Sequence, residues 1–355
     1  MPLSPISPLM KDDWKDEFAR RFHKDLVGGA SVSLWRKGEE VLTLHGGWPD
    51  DSLVPVFSAT KPASAFCLLL ALHDCCQSPE LRVGDLWPAF PAPHCTIAQM
   101  LSHQCGLAAL HEAAPLEDLD ACRAAIEKST PLWQPPQHGY HPQTFGPMVD
   151  ILMCELTGLR VGEFWEQRIR KPFNLDFYIG LPEPEFHRVA ALQAPRIQPG
   201  YMQNDAFYRA YFDAASSVYR AFHSISGFGS PREMSTPAAW KCASPAKGGV
   251  ASARGLAQFY QLLLSDAVPA EVLEWLSTPQ CSGWDNTLMQ HTSFTCGAMC
   301  EPSHLFPCGG FGHAGAGGSH ACCSPDTGVS FAYVMNRMEL GNLPGQRVEQ
   351  LLELL

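Results

Sequence analysis

The chain has 355 residues, which is enough for one large domain or two modest ones with an ample hydrophobic core. Only 17% of the residues are charged and 46% are hydrophobic, a composition that indicates a compact globular protein. The net charge is −11 and no basic run exceeds a pair such as Arg20-Arg21, which argues against nucleic acid or an anionic membrane as a partner.

The N-terminal segment predicts a helix followed by a hairpin. Large apolar residues recur every four positions between Lys11 and Val27, which is typical of an amphipathic helix. From Ala30 to His45 the sequence alternates around a Lys37-Gly38-Glu39 turn, which predicts two antiparallel strands.

The next segment contains a candidate nucleophile, Ser58, with Lys61 three residues later. A serine hydroxyl attacks a carbonyl efficiently only when a base within hydrogen-bond reach takes its proton. On a helix, positions three residues apart lie on the same face, so Ser-x-x-Lys at a helix start supplies such a pair. The spacing therefore predicts a serine nucleophile with a lysine base.

Local sequence distinguishes this pair from a second Ser-x-x-Lys match, Ser244 and Lys247. A long apolar helical run follows Ser58, and Pro62 falls in the first turn, where a missing N–H costs little. Lys247 is instead followed by Gly248-Gly249, which interrupts a helix. We therefore expect Ser58, and not Ser244, to be activated.

The middle of the chain, from about Val83 to Trp240, has helical periodicity, proline-rich connections and no convincing hairpin. A rigid loop at 132–139 precedes Tyr140, which we identify as a candidate proton relay. The sequence predicts a helix over 147–156. An aromatic-rich segment, 201–228, is more typical of core packing, but part of it is suited to lining an apolar pocket.

The C-terminal segment predicts strands again. A glycine-rich stretch, 309–318, allows backbone N–H groups to face a cleft and act as oxyanion donors. A hairpin over 319–338 and a closing helix over 346–355 follow. The two chain ends together favour one antiparallel sheet, so we expect a sheet domain (1–82 and 243–355), a helical domain (83–242) and an active-site cleft between them.

The fourteen cysteines suggest reduced thiols in a cytoplasmic protein, because the N-terminus lacks the apolar region of a secretory signal. No apolar run reaches membrane-spanning length. The spacings in the densest group of possible metal ligands match no zinc pattern, and the sequence predicts no metal site and no cofactor. That group is His94, Cys95, His103, Cys105 and His111.

Three motifs in this order resemble the serine β-lactamase and penicillin-binding-protein superfamily, most closely class C β-lactamases and family VIII carboxylesterases. They are Ser58-Ala59-Thr60-Lys61, Tyr140 and His313-Ala314-Gly315. The stretches 96–107 and 172–176 also resemble recurrent segments of that group, so the resemblance covers nearly the whole chain. It implies an α/β (α+β) fold of the β-lactamase/DD-peptidase type, with an antiparallel sheet flanked by terminal helices.

The resemblance also implies roles for individual residues. Ser58 would form the acyl-enzyme, Lys61 and Tyr140 would share its proton, and the N–H groups of Ser58 and Ala316 would form the oxyanion hole. His313, followed by Gly315 in the third motif, would stand where many relatives have lysine.

Two departures from the pattern bear on the substrate. Pro142 replaces the asparagine of Tyr-x-Asn, and His313 removes a permanent positive charge.

The sequence thus predicts a serine hydrolase that acts on small neutral carboxylic esters, with a small-molecule ester as its only predicted partner and no particular oligomeric state. A β-lactamase or a D-amino-acid peptidase is the alternative within the enzymes. A non-catalytic scaffold or self-assembling protein that retains the fold is the alternative of another class. A Gly-x-Ser-x-Gly hydrolase motif is absent, because Ala321 stands where the second glycine would follow Ser319.

Overall fold

The structure, a computed structural model, describes residues 14–24, 26, 28–195, 205–301, 309–341 and 344–355. The predicted N-terminal helix is present over Trp14–Lys24, and the rest of the range predicted for it, apart from Leu26, lies outside the described residues. Both predicted hairpins and the closing helix are confirmed.

The strands of the described part, numbered in chain order, are short except at the two chain ends. They are β1 Ala30–Arg36, β2 Glu39–Gly46, β3 Val54–Phe57, β4 Ala114–Pro115, β5 Phe177–Ile179, β6 Ile225–Ser226, β7 Gly249–Ala251, β8 Cys281–Trp284, β9 His291–Phe294, β10 Met299–Cys300, β11 Phe311–Ala314, β12 His320–Ser324 and β13 Val329–Met335.

The helices of the described part are concentrated in the middle of the chain. The α-helices are α1 Trp14–Lys24, α2 Lys61–Asp74, α3 Val83–Leu86, α4 Ile97–Leu101, α5 Leu119–Glu127, α6 Phe145–Thr157, α7 Val161–Phe164, α8 Ala206–Phe212, α9 Ser217–His223, α10 Pro231–Met234, α11 Pro237–Lys241, α12 Ala253–Leu263, α13 Ala270–Ser277 and α14 Gln346–Leu352. Two 3₁₀ segments, Ser58–Thr60 and Glu183–Arg188, and a π-helical segment, Trp165–Arg170, complete them.

The main sheet joins the two ends of the chain, as the sequence predicts. Eight antiparallel strands lie in the order β2-β1-β13-β12-β11-β10-β9-β8. In the register between the chain ends, Val32 lies opposite Tyr333 and Leu34 opposite Phe331. Because alternate residues of a strand face opposite sides, each face of this sheet carries its own apolar set.

The two faces of the sheet are covered by different helices. On one face, the side chains of Val32, Phe331 and Tyr333 pack under α1 and α14. On the other, Ala321 and Ala332 belong to a large core that contains α2, α6 and α12. Apolar residues surround α2, and eleven of its fourteen residues are buried. The candidate nucleophile therefore lies at the end of one of the most enclosed helices.

Three features of the strands differ from the sequence prediction. The middle of the chain is not entirely helical, since β4 pairs with β6 and β5 pairs with β7. The strands from β8 to β10 have too weak an alternation to be predicted. Part of the glycine-rich stretch forms β11, which lies inside the sheet between β10 and β12.

The α/β fold of the predicted type is confirmed by the antiparallel sheet with its helical layers. The division at residues 82 and 243 remains a prediction, and the largest core contains residues from both predicted parts, for example Phe66 and Met148. In the described part of the chain, no helix combines the length and apolarity needed to cross a membrane.

Candidate active site

Ser58 lies where strand β3 turns into helix α2. Phe57, the last residue of β3, has a positive φ of 48° with ψ of −127°, although it is not glycine. Such a conformation costs on the order of 1–3 kcal/mol and persists only where the surrounding structure enforces it. It turns the chain into the 3₁₀ segment so that Ser58 is half-buried at its first position, ahead of the buried helix.

Lys61 lies within hydrogen-bond distance of the Ser58 hydroxyl, with its Nζ 3.1 Å from Ser58 Oγ. Its amine also donates to the carbonyls of Pro142 at 3.2 Å and Ala246 at 3.0 Å. Complete burial, and then the charge on Lys247, lower the pKa of Lys61 well below its ordinary value. A neutral amine has two hydrogens for the two carbonyls, and its lone pair is then free to accept the proton of Ser58.

Tyr140 contacts the same hydroxyl, and its ring centroid lies 4.8 Å from Lys61 Nζ. Its Oη donates to Ser58 Oγ at 2.7 Å. Burial raises the pKa of Tyr140, so the phenol keeps its proton. The ring is stacked on Phe294 with an interplanar angle of 5° and contacts His103 edge-on. The structure therefore brings Ser58, Lys61 and Tyr140 together as predicted from the sequence.

The backbone of Tyr140 is fixed by Asp285, a buried residue that no sequence pattern indicates. Asp285 Oδ1 accepts from the N–H of Tyr140 at 3.0 Å and from the N–H groups of Thr287 and Leu288, each at 2.8 Å. Its Oδ2 accepts from the hydroxyl of Thr292 at 3.0 Å. One carboxylate thus holds the Tyr140 loop against the turn after β8, and no sequence motif distinguishes this aspartate from the others.

The segment that contains Ser244 and Lys247 helps to position Lys61. Ser64 Oγ donates to the carbonyl of Pro245 at 2.9 Å, which holds segment 244–247 beside α2 and brings the carbonyl of Ala246 to Lys61. Lys247 Nζ donates to the carbonyl of Gly227 at 2.8 Å, whereas Ser244 Oγ has no partner among the described residues. Ser244 instead lines a cavity of about 390 Å³. The expectation that Ser244 and Lys247 do not act as a pair agrees with these contacts.

His313 lies beside the candidate catalytic groups, on strand β11. Its ring centroid is 5.7 Å from that of Tyr140, and only 1% of the residue is exposed. Nδ1 lies 2.7 Å from the carbonyl oxygen of Ala314, while Nε2 has no partner among the described residues. Burial is the main cause that lowers the pKa of His313 to about 3. The imidazole is therefore neutral across the physiological range.

Gly315 and Ala316 follow His313 at the end of β11. A side chain at Gly315 would place its Cβ 2.1 Å from the carbonyl oxygen of Val56, so only glycine allows β11 to approach β3 this closely. The approach brings the turn that carries Ala316 next to the strand that leads into Ser58. The N–H of Ser58 heads the 3₁₀ segment, where the first N–H groups lack intrahelical acceptors.

The histidines and cysteines between His94 and His111 do not form a metal-binding cluster in the described part of the chain. Cys105 Sγ lies 3.4 Å from His141 Nε2. His103 packs among the rings of Tyr140, Phe145 and Phe294. Burial also lowers the pKa values of His103 and His141, in the latter to about 3. These two histidines are neutral packing partners of the candidate active site.

Comparisons with known proteins agree with this geometry. The family model described as Beta-lactamase matches residues 15–354. A curated relative from Mycobacterium tuberculosis, named Esterase/beta-lactamase LipL, is 28% identical, and the match covers 90% of this chain and 80% of that protein.

Two solved structures are similar over almost their full length. One is described as a family VIII carboxylesterase, with a TM-score of 0.85, 25% identity and coverage of 99% of this chain and 98% of the other. The other is EstA from Arthrobacter nitroguajacolicus Rue61a, with a TM-score of 0.85, 26% identity and coverage of 100% and 97%.

Proposed function

Because the chain belongs to the beta-lactamase family and is a serine hydrolase, we propose that it cleaves small neutral carboxylic esters through an acyl-enzyme on Ser58. The observation that carries the proposal is the convergence of two proton-transfer groups on one hydroxyl. Lys61 Nζ lies 3.1 Å and Tyr140 Oη 2.7 Å from Ser58 Oγ.

In the acylation step, the neutral amine of Lys61 takes the proton of Ser58 as Oγ attacks the ester carbonyl. The shifts in the two pKa values assign the roles, because the pKa of Lys61 is lowered and that of Tyr140 is raised. Lys61 is thus the base. Tyr140 is the proton donor: it gives its proton to the departing alcohol and regains one from Lys61, which becomes neutral again. Water then attacks the acyl-enzyme, Lys61 takes a proton from that water, and Tyr140 gives a proton to Ser58 Oγ as the acid departs and regains one from Lys61.

The negative charge on the carbonyl oxygen is stabilised by the N–H groups of Ser58 and Ala316, as in the family. The support is the close approach of Gly315 to Val56, which brings the Ala316 turn beside the start of the helix. Backbone donors fixed by such packing need no reorganisation during the reaction.

The preference for neutral esters rests on His313 and Pro142. The neutral, buried imidazole of His313 offers no positive charge to the carboxylate that β-lactams carry. Pro142 has no side-chain amide to hold an acylamino group, and its carbonyl is occupied by Lys61. Phe207 and Phe222 pack against the cluster that contains Tyr140, so the aromatic segment provides an apolar wall for the acyl or alcohol group.

A β-lactamase or D-amino-acid peptidase remains the alternative within the enzymes, because one relative carries both esterase and β-lactamase in its name. The complete set of groups around Ser58 speaks against a non-catalytic scaffold. We also propose a cytoplasmic location, since the thirteen cysteines in the described part of the chain are all free thiols.

A comparison of kcat/KM for p-nitrophenyl butyrate and nitrocefin tests the proposed substrate class. We expect kcat/KM for p-nitrophenyl butyrate to be much larger than kcat/KM for nitrocefin. The ratio of the two should not change from pH 5 to pH 8, because His313 does not titrate in that range. His313→Gln, which is also neutral, should keep the preference, whereas His313→Lys should raise the nitrocefin value relative to the ester. A nitrocefin value at or above the ester value at pH 7 contradicts the proposal.

A further inference from the structure

Three side chains with metal-binding atoms converge on the face of the main sheet opposite Ser58. His320 and Cys322 lie on β12, two residues apart, and therefore point to the same face. Their partners on β13 are Tyr333 and Phe331, which pack under the terminal helices. Glu301 follows β10, with its N–H bonded to the carbonyl of Gly310 at 2.9 Å.

Strand β11, between β10 and β12, carries small residues that leave room for the Glu301 side chain to reach β12. On this face β11 presents Gly312 opposite Cys322 and Ala314 opposite His320, and Gly310 precedes the strand. Gly312 must stay small, since a Cβ there would lie 2.5 Å from the Cβ of Cys322. The sequence thus builds a groove of small residues under the Glu301 side chain.

The carboxylate, imidazole and thiol atoms of this group all lie within 4.8 Å of one another. Glu301 Oε1 is 3.1 Å from His320 Nε2, and the two side chains are only 2% and 1% exposed. Three atoms at this separation have a common point within about 2.8 Å of each, whereas zinc binds N, O and S ligands at roughly 2.0–2.3 Å. Small side-chain rotations are enough to close that difference.

The hydrogen bonding of this group is incomplete in the described part of the chain. Glu301 Oε2 and His320 Nδ1 have no partner, and the Glu301–His320 contact is not aligned as a hydrogen bond. No arginine or lysine in the described part of the chain forms an ion pair with Glu301, whose ion-pair partner there is His320. A buried carboxylate without a full set of partners is costly, and a cation removes that cost.

We propose that Glu301, His320 and Cys322 bind a zinc ion that ties the chain just after β10 to β12. The mixed O, N and S donor set favours zinc over magnesium or calcium, which prefer oxygen ligands alone. Glu301 supplies a carboxylate oxygen, His320 its Nε2 and Cys322 its Sγ, and a water completes the tetrahedron. As the Zn–S bond forms, the Cys322 thiol loses its proton to solvent. The spacing of these residues in sequence matches no zinc motif, so only the fold brings them together.

The test uses the full chain, stripped with EDTA and titrated with Co²⁺ and Zn²⁺ in the presence of a thiol-free reductant. We expect one equivalent of Co²⁺ to bind with a thiolate-to-cobalt charge-transfer band, and Zn²⁺ to displace it. Zn²⁺ at a hundredfold excess over its Kd should raise the unfolding temperature by about 3–6 °C. Hydrolysis of p-nitrophenyl butyrate below that temperature should be unchanged, because the site lies across the sheet from Ser58.

Three variants test which side chains bind the zinc ion. Cys322→Ser should abolish the cobalt band, and Glu301→Gln should weaken zinc binding at least tenfold while the thiol remains. Cys300→Ser, next to Glu301 but on the opposite face, is the matched control and should bind zinc like the parent chain. If Cys322→Ser does not fold, judged by circular dichroism, the result for Glu301→Gln decides. Failure of the parent chain to bind, or equal binding by the parent and Glu301→Gln, overturns the proposal.

Discussion

Removal of one oxygen atom tests the assigned proton donor, because Tyr140→Phe deletes only the hydroxyl that contacts Ser58. The ring of Tyr140 stays stacked on Phe294 and its N–H stays bonded to Asp285, so the loop keeps its position. Lys61 also keeps its contacts with the carbonyls of Pro142 and Ala246. The variant should therefore fold like the parent chain and differ only at Ser58 Oγ.

The expected loss is roughly a hundredfold or more in turnover, the usual scale for a positioned proton-transfer group. A hundredfold loss corresponds to about 2.7 kcal/mol of transition-state stabilisation. Lys61→Ala should cost at least as much, because it removes the base itself. It also leaves two buried carbonyls unpaired, which lowers the free energy of unfolding by about 1–3 kcal/mol for each.

The assay is steady-state hydrolysis of p-nitrophenyl butyrate by both single variants and by the double variant. Because Lys61 and Tyr140 act on one proton, their combined effect should be much smaller than the product of the two. Tyr260→Phe is the matched control, since its buried hydroxyl has no partner among the described residues and lies on α12. Near-normal turnover in Tyr140→Phe, or a loss no larger than in Tyr260→Phe, refutes the role of Tyr140.

Two further predictions concern charge and thiols. Lys247→Met removes a positive charge that lowers the pKa of Lys61, so that pKa should rise and the ascending limb of kcat/KM against pH should move to higher pH. The exposed Lys241→Met is the control, and an unmoved limb or a shift to lower pH contradicts the assignment of Lys61 as base. The cysteines should be reduced and ester hydrolysis independent of oxidants and zinc, which non-reducing mass spectrometry and a chelator assay check. Native disulfides, or activity abolished by the chelator well below the unfolding temperature, contradict this prediction.

The sequence predicts the two ends of the sheet because strong alternation there is coupled to short turns. It also predicts the Ser58–Lys61 pair, since both residues lie on one helical turn and their contact depends on local geometry alone. Tyr140 was identifiable through the three-motif pattern and the stiff loop before it, although 82 residues separate it from Ser58.

The parts that the sequence does not reveal depend on contacts between distant segments. Asp285 fixes Tyr140 from a turn 145 residues later, and Ala246 holds Lys61 through a backbone carbonyl, for which side-chain identity carries no signal. The convergence of Glu301 with Cys322 depends on the register of three strands, two of which are too short to show alternation. These contacts are therefore set by strand pairing and packing between distant segments, which a local sequence pattern does not specify.

The most direct test of Ser58 as the nucleophile is labelling of the protein with a fluorophosphonate, followed by peptide mapping. An activated serine reacts with this reagent stoichiometrically, and the geometry around Ser58 predicts that the label is found on the peptide that contains Ser58. Ser58→Ala should abolish labelling, while Ser244→Ala and Ser319→Ala should leave it intact. Labelling that survives in Ser58→Ala, or a correctly folded parent chain that takes up no label, contradicts the account of Ser58 as the nucleophile.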